Sequence, residues 1–241
     1  GYLKIKNKKI SIFFDSGEVP KKHFSNSYQA GCLSFEIISN DCKLISNSGY
    51  GKYFSSKILN LSRTTAAHST LHINNNSSCN FTKNIIISSI FGKIANSRVK
   101  ILKKKIIENK KNFTIEAEHN GYEHKFGYVH NRKIKFDIEN TKFFGEDKLI
   151  SRKKKYKNVD FFIRFHLSPS TKIIKTQDGK SILISLENNE GWIFKSDDEI
   201  INIEKSLFFG NKKNVLNCEN IVIVGSAKNK MRCINWTLKK I

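Results

Sequence analysis

Histidine, arginine and side-chain amides are where acid–base or binding chemistry can arise in this chain. His68 stands in the run Arg63-Thr64-Thr65-Ala66-Ala67-His68-Ser69-Thr70-Leu71. Imidazole exchanges protons near neutral pH, so His68 can serve a cleft. It can equally be a buried histidine whose ring nitrogens bond backbone at a strand entry. A second segment is Tyr28-Gln29-Ala30-Gly31-Cys32-Leu33-Ser34-Phe35-Glu36-Ile37, followed by Ile45-Ser46-Asn47-Ser48-Gly49. A third holds His119-Asn120-Gly121-Tyr122, Phe126-Gly127 and His130-Asn131-Arg132. A fourth holds Arg164-Phe165-His166-Leu167, Gln177-Asp178-Gly179 and Gly191-Trp192. His119 is read as a strand residue flanking an Asn-Gly turn. His166 and Arg164 share a strand face, where they contact a polyanion or, the favoured reading, pack on a solvated sheet. His72 is expected on a strand surface and Trp192 in the core. Walker, GxGxxG, HExxH and GxSxG motifs are absent. The five cysteines have neither CxxC nor zinc-ribbon spacing. Most are expected to be small buried hydrophobes, and a Cys32–Cys42 contact across a hairpin stays open.

The elements that must position these groups have the period of strands. Phe113, Ile115 and Ala117 alternate with Thr114, Glu116 and Glu118. The same alternation runs through Ile134, Phe136 and Ile138, through Phe161 to Leu167, and through Ile182, Ile184 and Leu186. Each run can turn one face to a core. Asn120-Gly121, Asp178-Gly179 and Asn189-Glu190-Gly191 supply turns. Helical periodicity never lasts beyond a turn or two. The polar stretch 147–158 is read as an exposed loop. With no linker and no fixed-period repeat, the expectation is all-β: one large antiparallel β-sandwich domain over residues 1–241.

Lys and Arg number 43 against 21 Asp and Glu, a formal net charge of +22. The densest runs are Lys103-Lys104-Lys105 and Arg152-Lys153-Lys154-Lys155. Such a field attracts polyanions, although an excess spread along a chain rich in Lys, Asn, Ile and Ser also fits a general composition bias. Only charge supports nucleic acid, and the aromatic strand motif of an RRM is missing. No stretch reaches the roughly 18 apolar residues of a membrane span. Residues 1–9 alternate apolar and basic and lack a signal peptide's apolar core. Since the first residue is Gly1, a processed product or an excised piece is expected.

The four segments together resemble the C-terminal β-sandwich of heparinase II/III-like polysaccharide lyases. Ala66-Ala67-His68-Ser69-Thr70-Leu71 is similar to that family's Ala-His-Asn-Thr segment, and Leu33-Ser34-Phe35-Glu36 to the strand before it. The resemblance runs from about Phe14 to Ile223. It implies a two-part enzyme in which an N-terminal α/α toroid joins this super-sandwich. Such enzymes cleave uronic-acid-containing acidic polysaccharides by β-elimination, usually in the bacterial periplasm or cell envelope. The toroid supplies a tyrosine and an Asn or His, and the sandwich one further histidine. This chain lacks the toroid, so it is expected to be inactive alone, with the toroid on a preceding segment or a separate chain. Where the family has His-x-His-x-Asp, this chain has Ser27, Gln29 and Gly31. Some members hold zinc at positions matching Gln29, Asn47 and His68. Amides are poor zinc ligands, so neither metal nor other cofactor is expected here. His68 is the expected catalytic residue, with Arg63, Gln29 and Tyr28 binding substrate. The competing reading is a non-catalytic module that holds acidic polysaccharide.

Overall fold

The structure is a computed structural model that describes residues 1–96, 99–152, 156–197 and 200–241. Residues 153–155 of the second basic run lie outside the described residues. Sixteen strands occur among the described residues. The first five are β1 (Tyr2–Lys6), β2 (Ile10–Asp15), β3 (Phe35–Ser39), β4 (Cys42–Ile45) and β5 (Leu71–Ile73). Next come β6 (Ile101–Glu108), β7 (Asn112–His119), β8 (Tyr128–Asp137), β9 (Lys142–Ser151), β10 (Val159–His166) and β11 (Lys172–Lys175). The last are β12 (Ser181–Ser185), β13 (Gly191–Ser196), β14 (Ile200–Phe208), β15 (Leu216–Ala227) and β16 (Met231–Lys240). Three short helices interrupt them: α1 (Ser56–Ser62), α2 (Ile85–Phe91) and α3 (Glu123–Phe126). Ser55 and Asn84 cap α1 and α2 by accepting the amides of Ile58 and Ile87.

The strands form an eight-stranded sheet, β11-β12-β13-β16-β9-β8-β7-β6, and two four-stranded sheets, β1-β2-β3-β4 and β14-β15-β10-β5. Each pair within them is antiparallel, as expected. A bridge between Ser46 and His166 ties the two smaller sheets together. The core lies between them and the large sheet. Phe35 of β3 stacks on Trp236 of β16 at 5.6 Å, and Phe165 of β10 meets Trp236 edge-on at 4.9 Å. A Cβ at Gly145 would lie 1.9 Å from the Trp236 ring, so only glycine lets that indole pack over β9. On β6, which closes one edge of the large sheet, Lys103, Lys104 and Lys105 are exposed and discourage further strand pairing.

The alternating runs bury the residues expected to be buried, and Trp192 is in the core. The five cysteines are all free, with Cys32, Cys79 and Cys218 buried. Three expectations are corrected. The stretch 147–158 is not simply an exposed loop, because β9 continues to Ser151 with Asp147 fully buried. Its outward Glu146 and Lys148 make it look polar, while the inward Asp147 is neutralised by Arg132. His72 is 1% exposed and His166 2% exposed, so neither sits on a solvated face. Sheet stacking covers what strand alternation alone leaves open.

Candidate functional site

His68 ends a single 3₁₀ turn, Thr65–Ala67, just before β5. Its Nδ1 donates to the Thr64 carbonyl at 2.8 Å. Burial pushes its pKa down to about 4, so the ring is neutral at pH 7. A neutral ring that donates through Nδ1 accepts at Nε2. Gln29 Oε1 lies 3.3 Å from Nε2, and because Nε2 carries no proton in this tautomer the two bond once the amide is turned so that its NH₂ donates. Both nitrogens are therefore engaged, and Nε2 becomes available to another donor when Gln29 turns away.

Gln29 and His68 open into a cavity of about 270 Å³. Tyr2, Phe13, Ser34, Phe35, Glu36, Asn47 and Gly49 complete its lining. Asn47 donates to Glu36 Oε1 from its backbone N and Nδ2 (3.2 and 3.1 Å), and its Oδ1 accepts from the Ser69 amide at 2.8 Å. It thus fixes β3 against the backbone just after His68. Among the described residues, the lining carries the carboxylate of Glu36 and no lysine or arginine.

Arg63 and Tyr28 fall outside this lining. Arg63 is 3% exposed, and its Nε and Nη2 donate to the carbonyls of Tyr28 and Ser25 at 2.8 and 3.0 Å. Its guanidinium covers the Phe81 ring at 3.9 Å. It braces the loop that presents Gln29. The Tyr28 hydroxyl is buried without a hydrogen-bond partner among the described residues, and burial raises its pKa. Ser27 is exposed and donates to Asn26. The structure therefore brings together His68, Gln29 and Asn47, and puts Arg63 and Tyr28 behind them.

Zinc does not fit this donor set. It offers one imidazole whose nitrogens are engaged and two amides already hydrogen-bonded. No cluster of three His, Cys, Asp or Glu suited to a metal occurs among the described residues. Gly31 lies against the His68 ring: a Cβ there would be 2.6 Å from Cδ2. Gly31→Ala is expected to cost about 1–3 kcal/mol, as overpacked cores do, and to break the His68–Gln29 contact. Urea denaturation and the His68 imidazole NMR shifts would read both. Unchanged shifts and stability would show that the ring has room.

Behind the cavity lies a buried network that sequence reasoning missed. Arg132 of β8 pairs bidentately with Asp147 of β9, Nε to Oδ1 at 2.7 Å and Nη2 to Oδ2 at 3.0 Å. Its Nη1 reaches the carbonyls of Leu33 and Ser69 at 3.0 and 2.7 Å. These residues flank Ser34 and His68 of the cavity lining, so one guanidinium fixes both sides. Asp147 also accepts from His130 Nε2 at 2.7 Å and Trp236 Nε1 at 3.0 Å. His119 Nε2 lies 3.3 Å from His130 Nδ1, and His119 Nδ1 accepts the Gly121 amide at 3.0 Å. His166 supports the other flank. Its Nε2 donates to Ala66 O at 2.9 Å, while Nδ1 accepts from Ser48 Oγ at 3.0 Å. One signal was available in sequence: a β8–β9 hairpin turning near Asn140 places Arg132 opposite Asp147.

The comparisons with known proteins agree with this architecture. Heparan sulfate lyase HepC of Pedobacter heparinus superposes with a TM-score of 0.77 at 14% identity, covering 100% of this chain and 35% of that one. Heparinase III superposes with a TM-score of 0.74 at 16% identity, covering 100% and 35%. FtsZ-localized protein C of Caulobacter vibrioides is 24% identical over 216 residues, 87% of this chain and 37% of that protein. The chain thus spans about a third of the length of these relatives. The sequence profile described as "Heparinase II/III-like, C-terminal" matches residues 1–237, and the chain belongs to that family.

Proposed function

We propose that this chain is the sandwich part of a lyase that cleaves uronic-acid-containing polysaccharides by β-elimination. A base removes the proton beside the uronate carboxyl, a C=C bond forms to the next carbon as its glycosidic C–O bond breaks, and the leaving oxygen takes the electron pair and a proton from an acid. The observation that carries the reading is His68, which belongs to the segment similar to the family's Ala-His-Asn-Thr and is held with Gln29 in a cavity, while by the same resemblance Ser27 stands where the catalytic histidine is expected. In the reacting complex, Gln29 yields Nε2 to the substrate, and His68 serves as the sandwich's acid–base group. Arg63 and Tyr28 act through the loop they support.

Unprotonated Nε2 suits the base, so the acid for the leaving oxygen and the cation that neutralises the uronate come from a partner, an α/α toroid on the same polypeptide or on a separate chain. Two features support this. Among the described residues, the cavity lining offers no lysine or arginine to receive a carboxylate. Beside the Gln29 loop, Phe24, Leu61, Ile85, Ile86 and Ile90 are exposed apolar side chains. Hydrogen bonds from Lys93 to Asn60 and from the Ala95 amide to Ser25 hold these segments together. The setting that fits such a substrate is the periplasm or cell envelope. No helix among the described residues is long and apolar enough to cross a membrane.

A second reading, a module that holds acidic polysaccharide without cleaving it, rests on Ser27, Gln29 and Gly31 in place of His-x-His-x-Asp and on the engaged His68 nitrogens. The test joins this chain to its toroid and offers heparin, heparan sulfate, alginate and chondroitin. Product is followed by the ultraviolet absorbance of the unsaturated uronate. Activity that falls about 10²–10⁴-fold in His68→Ala, the usual weight of a general acid or base, supports the lyase. Glycan binding with no product from any substrate supports the module instead.

A further inference from the structure

A second cavity, of about 370 Å³, lies on the outer face of the eight-stranded sheet and shares no residue with the His68 cavity. Gly145 and Trp236 are part of its wall, together with Phe144, Lys133, Lys135 and Glu146, and Asp197 and Asn235 complete one side. The Phe144 ring is 37% exposed. The ammoniums of Lys142 and Lys135 stand 4.4 and 5.9 Å from its centroid.

Register places more lysines around this ring. Lys135 on β8 and Thr237 on β16 are directly opposite Phe144, and Lys195 on β13 is opposite Thr237. Lys142 is opposite Lys239, with Asp137 on the other side of Lys142. Residues two apart share a strand face, so these groups all point to the same surface. Like charges directly opposite destabilise a sheet. Asp137 and the Phe144 ring attend Lys142, but Lys239 has only Lys142 and Ile193 opposite it, and an anion seated between the two lysines would offset their repulsion.

The remaining groups choose among anions. Asp197, Asn235 and the Glu146 oxygen not paired with Lys148 can accept hydrogen bonds from sugar hydroxyls, which a sugar offers at several carbons. An exposed aromatic ring offers a platform to the C–H face of a sugar. We infer that this groove is a second binding site, for a uronate- or sulfate-bearing oligosaccharide. One sugar stacks on Phe144, and its anionic groups lie between Lys135, Lys142 and Lys239. The ligand class is that of the proposed function, and the site is additional to the His68 cavity.

Calorimetric titration of the whole chain with a heparin octasaccharide tests this, with single-stranded RNA of similar charge as the competitor. Phe144→Ala and Lys239→Glu are each expected to weaken the octasaccharide about tenfold, and Lys104→Glu, the same charge change on exposed edge strand β6, to leave it unchanged. Lys239→Glu sets opposite charges against Lys142, so its thermal midpoint should hold or rise, which separates lost binding from lost folding. Octasaccharide affinity unmoved by both variants, or weakened as much by Lys104→Glu, overturns the second site and leaves the proposed function standing. RNA bound as tightly, and weakened by Phe144→Ala to the same degree, overturns the glycan assignment. A chain that binds no acidic glycan overturns the second site alone, since the proposed cleavage takes its cation from the toroid.

Discussion

Asp147→Ala is expected to remove about 3–5 kcal/mol of stability, the usual cost of taking one partner from a buried ion pair. Asp147 accepts from Arg132, His130 and Trp236 at depth, and its own exposure is 0%. Without it the Arg132 charge is left among apolar side chains, with only the Leu33 and Ser69 carbonyls to receive it. That loss is a large part of the roughly 5–15 kcal/mol that holds a domain folded. It also reaches the candidate site, because those two carbonyls flank the cavity. Urea denaturation of Asp147→Ala, Arg132→Met and the double variant Arg132→Met/Asp147→Ala would measure it. The double variant should cost clearly less than the two single changes added together, since it leaves no unpaired charge. Asp147→Asn keeps the shape and serves if the alanine variant does not fold. A loss below 1 kcal/mol for Asp147→Ala would show that the network contributes little.

Acid should unfold the protein well above the pH at which carboxylates titrate. His68, His72, His119, His130 and His166 are all buried, at most 5% exposed. Burial pushes the pKa of His68 to about 4 and those of His72 and His166 to about 3, and lowers His119 and His130 as well. In the unfolded chain each titrates near 6.5. Below that pH the unfolded state takes up protons that the native state refuses. Each histidine then lowers stability by up to about 1.4 kcal/mol per pH unit, until its native pKa is reached. Asp15 acts in the opposite sense. Burial raises its pKa to about 6, so between pH 6 and its unfolded value of about 3.8 the native state binds the extra proton. One carboxyl does not offset five imidazoles. The thermal midpoint should be level above pH 7, fall steeply below about 6, and vanish between about 5 and 4. A midpoint unchanged from pH 7 to 4.5 would mean that these rings are hydrated or charged in the native protein.

Much of the fold was legible because strand alternation is local. Phe113, Ile115, Phe161, Ile163, Ile182 and Ile184 declared their inward face by period alone, and Trp192 its place in the core. The absence of sustained helical periodicity was equally plain, and α1 and α2 are two turns each. The segments around Gln29 and His68 carried the family resemblance, and these two residues do meet.

Polar residues were the hard part. Alternation says that a strand has two faces but not which of them a second layer covers. His72 and His166 therefore looked solvent-facing, although the joined smaller sheets enclose both. Asp147 looked like part of a loop because a buried carboxylate is tolerated only with partners that sequence does not display, Arg132 above all. Arg63 looked ready to meet substrate, yet its guanidinium is used up on backbone carbonyls and on Phe81. By itself the sequence determined the strands, their apolar faces, the excess of positive charge and the family. Only the tertiary structure decided which charged and imidazole groups are dry and what each one holds, because desolvation and hydrogen-bond pairing depend on residues as far apart as Leu33 and Arg132.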